Sequence, residues 1–287
     1  MMMAPALCKS ALMAAAVVLA LRGAQAASPP PETRATIHYS ISMVGVPIGL
    51  ITWAIDLSAH AYQASASGKA SGALSILVNG EGRVATQGTI NSGEVTPTFF
   101  SSNITDDGET TGLQMTFENG SVKTLRTEEP KDKSQRIPVR DEDKMHVTDP
   151  LSAMLIAAPD GEPSLSPERC ARTLPIFDGQ RRYDLALSFK RMDRLKLDRG
   201  YDGAVLVCAV VLRPIAGYRP DSVLVKYVAG RPGMEIWFMP IAGSPVIAPG
   251  RLKMPTGIGT LEIEADKIDR TAGKPPAMAP VPASAHQ

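Results

Sequence analysis

Cysteine and histidine are scarce in this chain of 287 residues, which has three cysteines and four histidines. The histidines are scattered singly, and no two histidines or cysteines have the spacing of metal ligands. The acidic triplet Asp141, Glu142 and Asp143 lacks the glycine and the spacing of a calcium-binding loop. We therefore predict that the protein has no metal site and no cofactor.

The sequence also lacks a recognisable catalytic set. It has no Gly-x-Ser-x-Gly elbow, and no Ser-x-x-Lys pair stands out at the start of a plausible helix. We expect a non-catalytic protein. A hydrolase whose catalytic residues are not recognisable in the sequence is a lower-ranked alternative, after the two binding functions given below.

Aromatic residues make up 5% of the chain and the formal net charge is +1. A membrane-spanning β-barrel needs girdles of aromatic residues at both interfaces, so the low aromatic content argues against one. A nucleic-acid-binding surface needs a concentrated positive charge, which a near-neutral chain with no basic cluster does not supply. We predict neither a membrane-spanning protein nor a nucleic-acid partner.

The one long apolar run, residues 11–21, is typical of an export signal. Lys9 precedes the run, and Ala24-Gln25-Ala26 after it is a small-x-small cleavage site. The run is about eleven residues long, well short of the roughly twenty that cross a bilayer. We predict that residues 1–26 are a cleaved signal peptide and that the protein acts in the periplasm.

Cleavage leaves two cysteines, Cys170 and Cys208. In an oxidising compartment a single pair is expected to form a disulfide, and two free buried thiols are the alternative.

Alternation with a period of two dominates the sequence from Arg34 onward. Ile37, Tyr39 and Ile41 alternate with polar residues, and glycine or Asn-Gly and Asp-Gly turns separate similar segments. The first half of the chain reads as an antiparallel meander, with a short helical turn at residues 74–78. The predicted strands run over residues 37–43, 51–57, 62–70, 83–90, 98–104, 110–118, 122–127, 173–177, 182–190, 204–212, 222–228, 234–239, 246–253 and 258–266.

Asp149 and Pro150 suit a helix N-cap and first position, and apolar residues follow at i, i+3, i+4 and i+7 up to Pro159. We therefore predict one helix there. Residues 204–212 are apolar throughout, which is typical of a central strand that is covered on both faces. The expected fold is mainly all-β, a curved antiparallel sheet forming an open or partly closed barrel with one central helix.

The domain organisation follows from composition. We predict one β-rich domain over residues 27–270, with a mobile charged loop at 128–147, and a disordered tail rich in proline and alanine at 271–287. Two separate domains, divided at the charged loop, are the alternative.

Two groups of residues are candidates for ligand binding. The densest polar motif, residues 178–184, contains Arg181 and Arg182, whose planar guanidinium groups suit a phosphate or a carboxylate. Only one of two adjacent arginines can face a given site, and we choose Arg181; the alternative is a purely structural hairpin. Large or adaptable side chains could line an apolar groove or could be ordinary core, namely Trp53, Tyr62, Met154, Leu155 and Trp237.

Several of these motifs together resemble an exported bacterial family, domain of unknown function 3108. They are the first hairpin with Ile48-Gly49, residues 68–77, Asp149-Pro150-Leu151-Ser152, residues 177–184 and Cys208. The resemblance covers roughly residues 37–266 and implies a periplasmic β-rich protein with no assigned activity. In outline the family is similar to the open barrels of lipoprotein carriers, a likeness of fold alone.

We therefore expect a non-catalytic protein of the cell envelope that binds a lipid, a lipid-modified peptide or another apolar ligand in a concave sheet. The alternative is an envelope scaffolding protein with a packed interior and a protein partner.

Overall fold

The computed structural model describes residues 33–71, 80–106, 108–127, 135–159 and 165–271. The predicted signal peptide, the predicted turn at 74–78, residues 128–134 of the charged loop and the tail beyond Thr271 lie outside these residues. The longest helix in the described ranges has six residues, and none there is long and apolar enough to cross a membrane.

Fourteen strands lie within the described part of the chain. They are β1 (Thr33–Met43), β2 (Val46–Leu57), β3 (Ala61–Ala70), β4 (Glu81–Asn91), β5 (Glu94–Asp106), β6 (Glu109–Glu118), β7 (Ser121–Thr127), β8 (Ile156–Ala157), β9 (Arg172–Phe177), β10 (Arg182–Lys196), β11 (Asp202–Ala216), β12 (Met234–Pro240), β13 (Val246–Thr256) and β14 (Gly259–Thr271). The helical elements there are 3-10 turns at Glu142–Lys144, Ser152–Met154 and Pro167–Cys170, and the helix α1 (Val223–Val228).

All fourteen strands belong to one antiparallel sheet with the order β7-β6-β5-β4-β3-β2-β1-β14-β13-β12-β11-β10-β9, and β8 pairs with β13 beside this path. Most neighbours in the sheet are also neighbours in sequence, as expected for a meander. The chain ends meet in the middle, where β1 pairs with β14. The edge strands β7 and β9 are not paired with each other, so the sheet is not closed.

The alternation in the sequence produces the buried face of the sheet. In β1, Ala35, Ile37 and Tyr39 are buried while the residues between them are partly exposed. This confirms the predicted all-β class and the predicted strand positions in the first half of the chain.

The strand β11 is buried on both faces, as its apolar sequence predicts. Val205 and Val207 pack in one core cluster, with the inner residues of β1 and β2, and Leu206 and Cys208 pack in a second one. Cys208 forms the predicted disulfide with Cys170, with a Cα–Cα distance of 5.5 Å. The bridge joins the 3-10 turn Pro167–Cys170 to the centre of this strand.

The predicted helix after Asp149 is wrong. Only Ser152–Met154 form a 3-10 turn, Leu155 is extended, and Ile156 and Ala157 pair with β13 as β8. The reason is that the segment is enclosed: Leu155 and Ala157 face one core cluster while Ala153 and Ile156 face the other. A segment that is covered on both sides gains no advantage from gathering its apolar residues on one helical face.

A second correction concerns residues 222–228, which were predicted as a strand. Residues Val223–Val228 form α1 instead. Val228 packs in the second core cluster while Lys226 and Tyr227 are exposed. The reason is that β11 and β12, on either side of this stretch, pair directly with each other, so the stretch has no place in the ladder between them. Its backbone groups pair within the helix instead, as in the Lys226 N–H that donates to the Ser222 carbonyl.

Residues 147–158, which we call the interior segment, cross the inside of the curved sheet. The segment begins between the two edges, where the Val147 N–H donates to the Gly120 carbonyl and the Thr148 N–H donates to the Pro175 carbonyl, at 2.8 Å each. It ends at β13, through β8 and an N–H of Ala158 that donates to the Pro245 carbonyl. The described part of the predicted charged loop, residues 135–147, leads into it and carries the turn Glu142–Lys144.

Candidate functional site

A cavity of about 720 Å³ lies between the inner face of β4–β6, the start of the interior segment and the turn that joins β9 to β10. This volume falls within the roughly 300–1,000 Å³ of small-molecule sites. Its lining residues are Val84, Phe100, Ser102, Ile104, Glu109, Thr111, Leu113, Pro150, Leu151, Asp178, Gln180 and Arg181. The cavity reaches the surface at Ile104, which is 51% exposed.

The strand register explains the hollow. Val84, Ser102 and Leu113 lie side by side across β4, β5 and β6, and the next row outward contains Ile104 and Thr111. Small side chains therefore alternate with large ones on this inner face. Because Ser102 and Thr111 do not fill the space in front of their strands, a groove remains between the aliphatic walls.

The turn between β9 and β10 forms the polar end of the cavity. The Asp178 carboxylate accepts hydrogen bonds from the N–H groups of Gln180 at 2.9 Å and Arg181 at 2.6 Å, which is the geometry of an Asx turn. Gly179 has φ +94°, and a Cβ there would lie 2.0 Å from Cδ1 of Leu113 on β6. Only glycine allows this turn to pack so closely against β6, a strand near the opposite edge of the sheet.

Arg181 is held at the rim of the cavity. Its guanidinium lies 3.7 Å from Oδ2 of Asp178 and 5.9 Å from the ring centroid of Tyr218, which in turn meets Tyr183 edge to face. Burial raises the pKa of Asp178 above its ordinary value, although the two N–H groups and the charge of Arg181 act in the opposite direction. The Arg181 side chain is about half exposed, so it can reach a ligand group in the cavity.

A buried polar network anchors the interior segment directly behind the cavity. Oδ1 of Asp149 accepts from the N–H groups of Leu151 and Ser152, at 2.9 Å each, and Oδ2 accepts from the hydroxyls of Ser152 at 2.5 Å and Thr86 at 2.9 Å. The Tyr62 hydroxyl lies 2.7 Å from Oγ of Ser152. The network thus ties β3 and β4 to the segment that supplies Pro150 and Leu151 to the cavity.

Burial also changes the acidity of this network. It raises the pKa of Asp149 above its ordinary value, and this effect exceeds the opposing effect of the four hydrogen bonds. Burial raises the pKa of Tyr62 as well. A carboxyl whose oxygens are all engaged by protein groups is suited to fixing the segment in place.

Of the six residues proposed as ligand contacts from the sequence, Arg181 lines the cavity. Trp53 and Leu155 are core residues, Tyr62 belongs to the polar network and Met154 packs between the two core clusters. Trp237 is buried on β12, where cationic groups of three side chains lie within 5.6 Å of its ring, namely Arg191, Arg251 and Lys253.

The residues that form the walls were not identified from the sequence. Leu113 lies in the predicted strand over residues 110–118, but alternation does not separate core positions from cavity positions. The available signal was the set of small residues at inner positions, Ser102 and Thr111, and its meaning depends on which strands pair.

Comparison with known proteins places the sequence in a family. Residues 35–266 match the family model described as Protein of unknown function (DUF3108). The chain belongs to this family. This match confirms the resemblance to the DUF3108 family that the sequence motifs indicate.

Solved structures similar to this DUF3108 protein include a beta-barrel-like protein of domain of unknown function DUF1849 from Brucella abortus. It has 11% identity and a TM-score of 0.49, and the match covers 84% of this chain and 99% of that chain. A second, from Bacteroides fragilis, has a YmcC-like fold, 9% identity and a TM-score of 0.32, with coverage of 82% and 95%. No protein with a curated description matches the sequence.

Proposed function

We propose that this protein is a non-catalytic periplasmic protein that binds an acyl lipid with an anionic group in the cavity between β4–β6 and the Asp178–Arg181 turn. The proposed compartment rests on the export-signal pattern of residues 1–26 and on the Cys170–Cys208 disulfide, since disulfides persist in oxidising compartments.

The observation that carries the proposed ligand class is the division of the cavity into two chemical parts. Val84, Phe100, Ile104 and Leu113 supply a hydrocarbon wall, whereas the charged lining residues are Arg181, its neighbour Asp178 and Glu109, of which Arg181 is the cation. An acyl chain would remove the wall from water, which is favourable by about 25 cal/mol for each Å² of apolar surface. A carboxylate or phosphate would accept charge-assisted hydrogen bonds from the guanidinium.

The first experiment is mass spectrometry of organic extracts from the purified native protein, combined with titration of a fluorescent fatty-acid probe. We expect a co-purified acyl lipid and saturable probe binding. Protein that is consistently empty and does not bind the probe would refute the proposal and would favour the scaffolding alternative.

Two variants locate the binding. Thr111→Trp fills the cavity from the inner face of β6, and we expect it to abolish probe binding. Thr110→Trp is the matched control because Thr110 is exposed on the opposite face of the same strand and bonds to Thr105. Equal binding by the two variants would place the probe elsewhere.

A third variant tests the anionic group. Arg181→Gln is expected to weaken binding of the fatty-acid probe at least about tenfold, because a hydrogen bond to a charged group contributes roughly 1.5–3 kcal/mol. A probe with an alcohol in place of the carboxylate should bind this variant and the unmodified protein equally well. Arg213→Gln, at an exposed position on β11, controls for the loss of one positive charge.

A further inference from the structure

The turn between β1 and β2 has an unusual residue for its conformation. Val44 has φ 52° and is followed by Gly45 at φ 77°; Ser92 at φ 50° and Asn119 at φ 51° open equivalent turns, each with a following glycine of positive φ. Polar residues such as asparagine suit this left-handed conformation, whereas a β-branched residue is strained in it. Val44 is also 63% exposed, so burial does not account for the valine.

The β1–β2 turn is part of a larger apolar surface. The Val44 N–H donates to the Thr260 carbonyl at 3.0 Å, and the Val44 side chain lies over Gly259 in the β13–β14 turn. Ile258, at the tip of that turn, is 79% exposed, the highest value among the large hydrophobic residues described. We call these two turns, together with the exposed Val46, the apolar tips.

Aromatic and cationic groups border the apolar tips. The Tyr227 ring of α1 lies over Gly257, and the Arg231 guanidinium lies 5.2 Å from the centroid of that ring. Lys226 and Arg231 are both exposed. The three stretches that form this surface, residues 43–50, 226–234 and 254–261, contain no aspartate or glutamate.

The apolar tips lie at the same end of the sheet as the mouth of the cavity. Because the strands are antiparallel and consecutive, the β1–β2, β5–β6, β9–β10 and β13–β14 turns all lie at one end. Ile104 and Arg181 line the cavity at that end. The β5–β6 turn carries acidic residues, but β4, β3 and β2 separate it from β1 in the sheet, so these acids lie apart from the tips.

We propose that the apolar tips dock on the surface of a bilayer that contains anionic phospholipid. The tip residues Val44, Val46 and Ile258 enter the boundary between head groups and acyl chains, Tyr227 lies at the head-group level, and Lys226 and Arg231 meet anionic head groups. Exposed aliphatic residues with a cationic border suit this surface better than they suit water. The inference stands on the tips and does not depend on a ligand in the cavity.

The test is co-sedimentation of the purified protein with vesicles of phosphatidylcholine alone or mixed with phosphatidylglycerol. We expect binding to the mixed vesicles that weakens as salt is added. The double variant Val44→Asn and Ile258→Asn should reduce this binding at least about tenfold, since burial of an aliphatic side chain is favourable by roughly 1.5–3 kcal/mol. Asparagine suits the conformation at position 44, so the melting temperature should not fall because of that change.

The matched control is Phe189→Asn with Met192→Asn, two residues of β10 that are each 44% exposed and lie away from the tips. This variant should bind vesicles as the unmodified protein does. Lys226→Gln with Arg231→Gln should weaken binding to the mixed vesicles.

Three results would overturn the inference. The first is that the protein does not bind the mixed vesicles, and the second is that the double asparagine variant binds them as well as the unmodified protein does. The third is a dimer in sedimentation velocity that the double asparagine variant abolishes, since the tips would then cover a second copy of the chain. The cavity proposal is judged separately, because Thr111→Trp and the fatty-acid probe do not involve the tips.

Discussion

Replacing Asp149 tests whether the buried polar network fixes the interior segment. In Asp149→Ala the N–H and the hydroxyl of Ser152 lose their acceptor in a site that is closed to water, and the N–H of Leu151 loses its acceptor beside the cavity. Each buried donor left without a partner costs about 1–3 kcal/mol, so we expect a loss of about 2–6 kcal/mol. That is a large part of the roughly 5–15 kcal/mol that stabilises a typical domain.

The assay is urea-induced unfolding followed by tryptophan fluorescence, since Trp53 and Trp237 are both buried. Asp149→Asn keeps one carbonyl acceptor for the two N–H groups and should be less destabilising than alanine. Asp141→Ala, at an exposed carboxylate, is the control and should leave the unfolding midpoint unchanged. Equal midpoints for Asp149→Ala and the control would refute the role of the network.

The pH dependence gives a second readout of the same site. An unfolded aspartate titrates near pH 3.9, whereas burial raises the pKa of Asp149 in the folded protein. Between these two values the folded state binds more protons than the unfolded state, so the free energy of unfolding falls as the pH rises. The advantage of the unmodified protein over Asp149→Asn should therefore be greatest below about pH 4 and shrink as the pH rises through the folded pKa. An advantage that grows with pH would show that the hydrogen bonds outweigh burial.

Three further changes test other contacts by the same unfolding assay. Cys170→Ser opens a disulfide whose cysteines are separated by 38 residues and should lower stability by about 4 kcal/mol; an unchanged melting temperature under oxidising conditions would contradict this. Tyr62→Phe removes a hydroxyl from the network and should lower stability by about 1 kcal/mol, and no loss would show that this hydroxyl is dispensable. Gly179→Ala should be clearly more destabilising than Gly120→Ala, because both have positive φ but only Gly179 faces Leu113; equal losses would rule out that contact.

The strands were predictable because their information is local. Alternation in β1 and the turn residues at Asn119-Gly120 fix the position and the inner face of each strand without knowledge of its partners. The interior segment could not be predicted in this way. Its apolar spacing fits a helix, and the chain instead extends because both of its sides are enclosed, a condition that arises only once distant strands come together.

The same limit applies to the cavity. Arg181 could be predicted because a dense polar motif beside a tight turn is visible in the sequence. Ser102 and Thr111 could not, because a small residue leaves a cavity only if its neighbours across the sheet do not fill the space. The large rings of Trp53 and Trp237 suggested a groove, but large side chains fill space and these two are buried in the core.

The opening in the sheet also explains why the cavity lies where it does. Strand β7 pairs with β6 from Glu118 to Leu113, and the cavity residues Glu109 and Thr111 lie on β6 beyond this stretch, toward the β5–β6 turn. The interior segment joins the two edges near Gly120 and Pro175, and Gly179 touches Leu113. The cavity lies beyond these contacts, between β6 and the Asp178–Arg181 turn. A ligand there would touch β6 and the Asp178–Arg181 turn at once. Its binding would therefore link two parts of the sheet that no strand pairing connects among the described residues. It would stabilise the fold to the extent that it binds the folded chain alone.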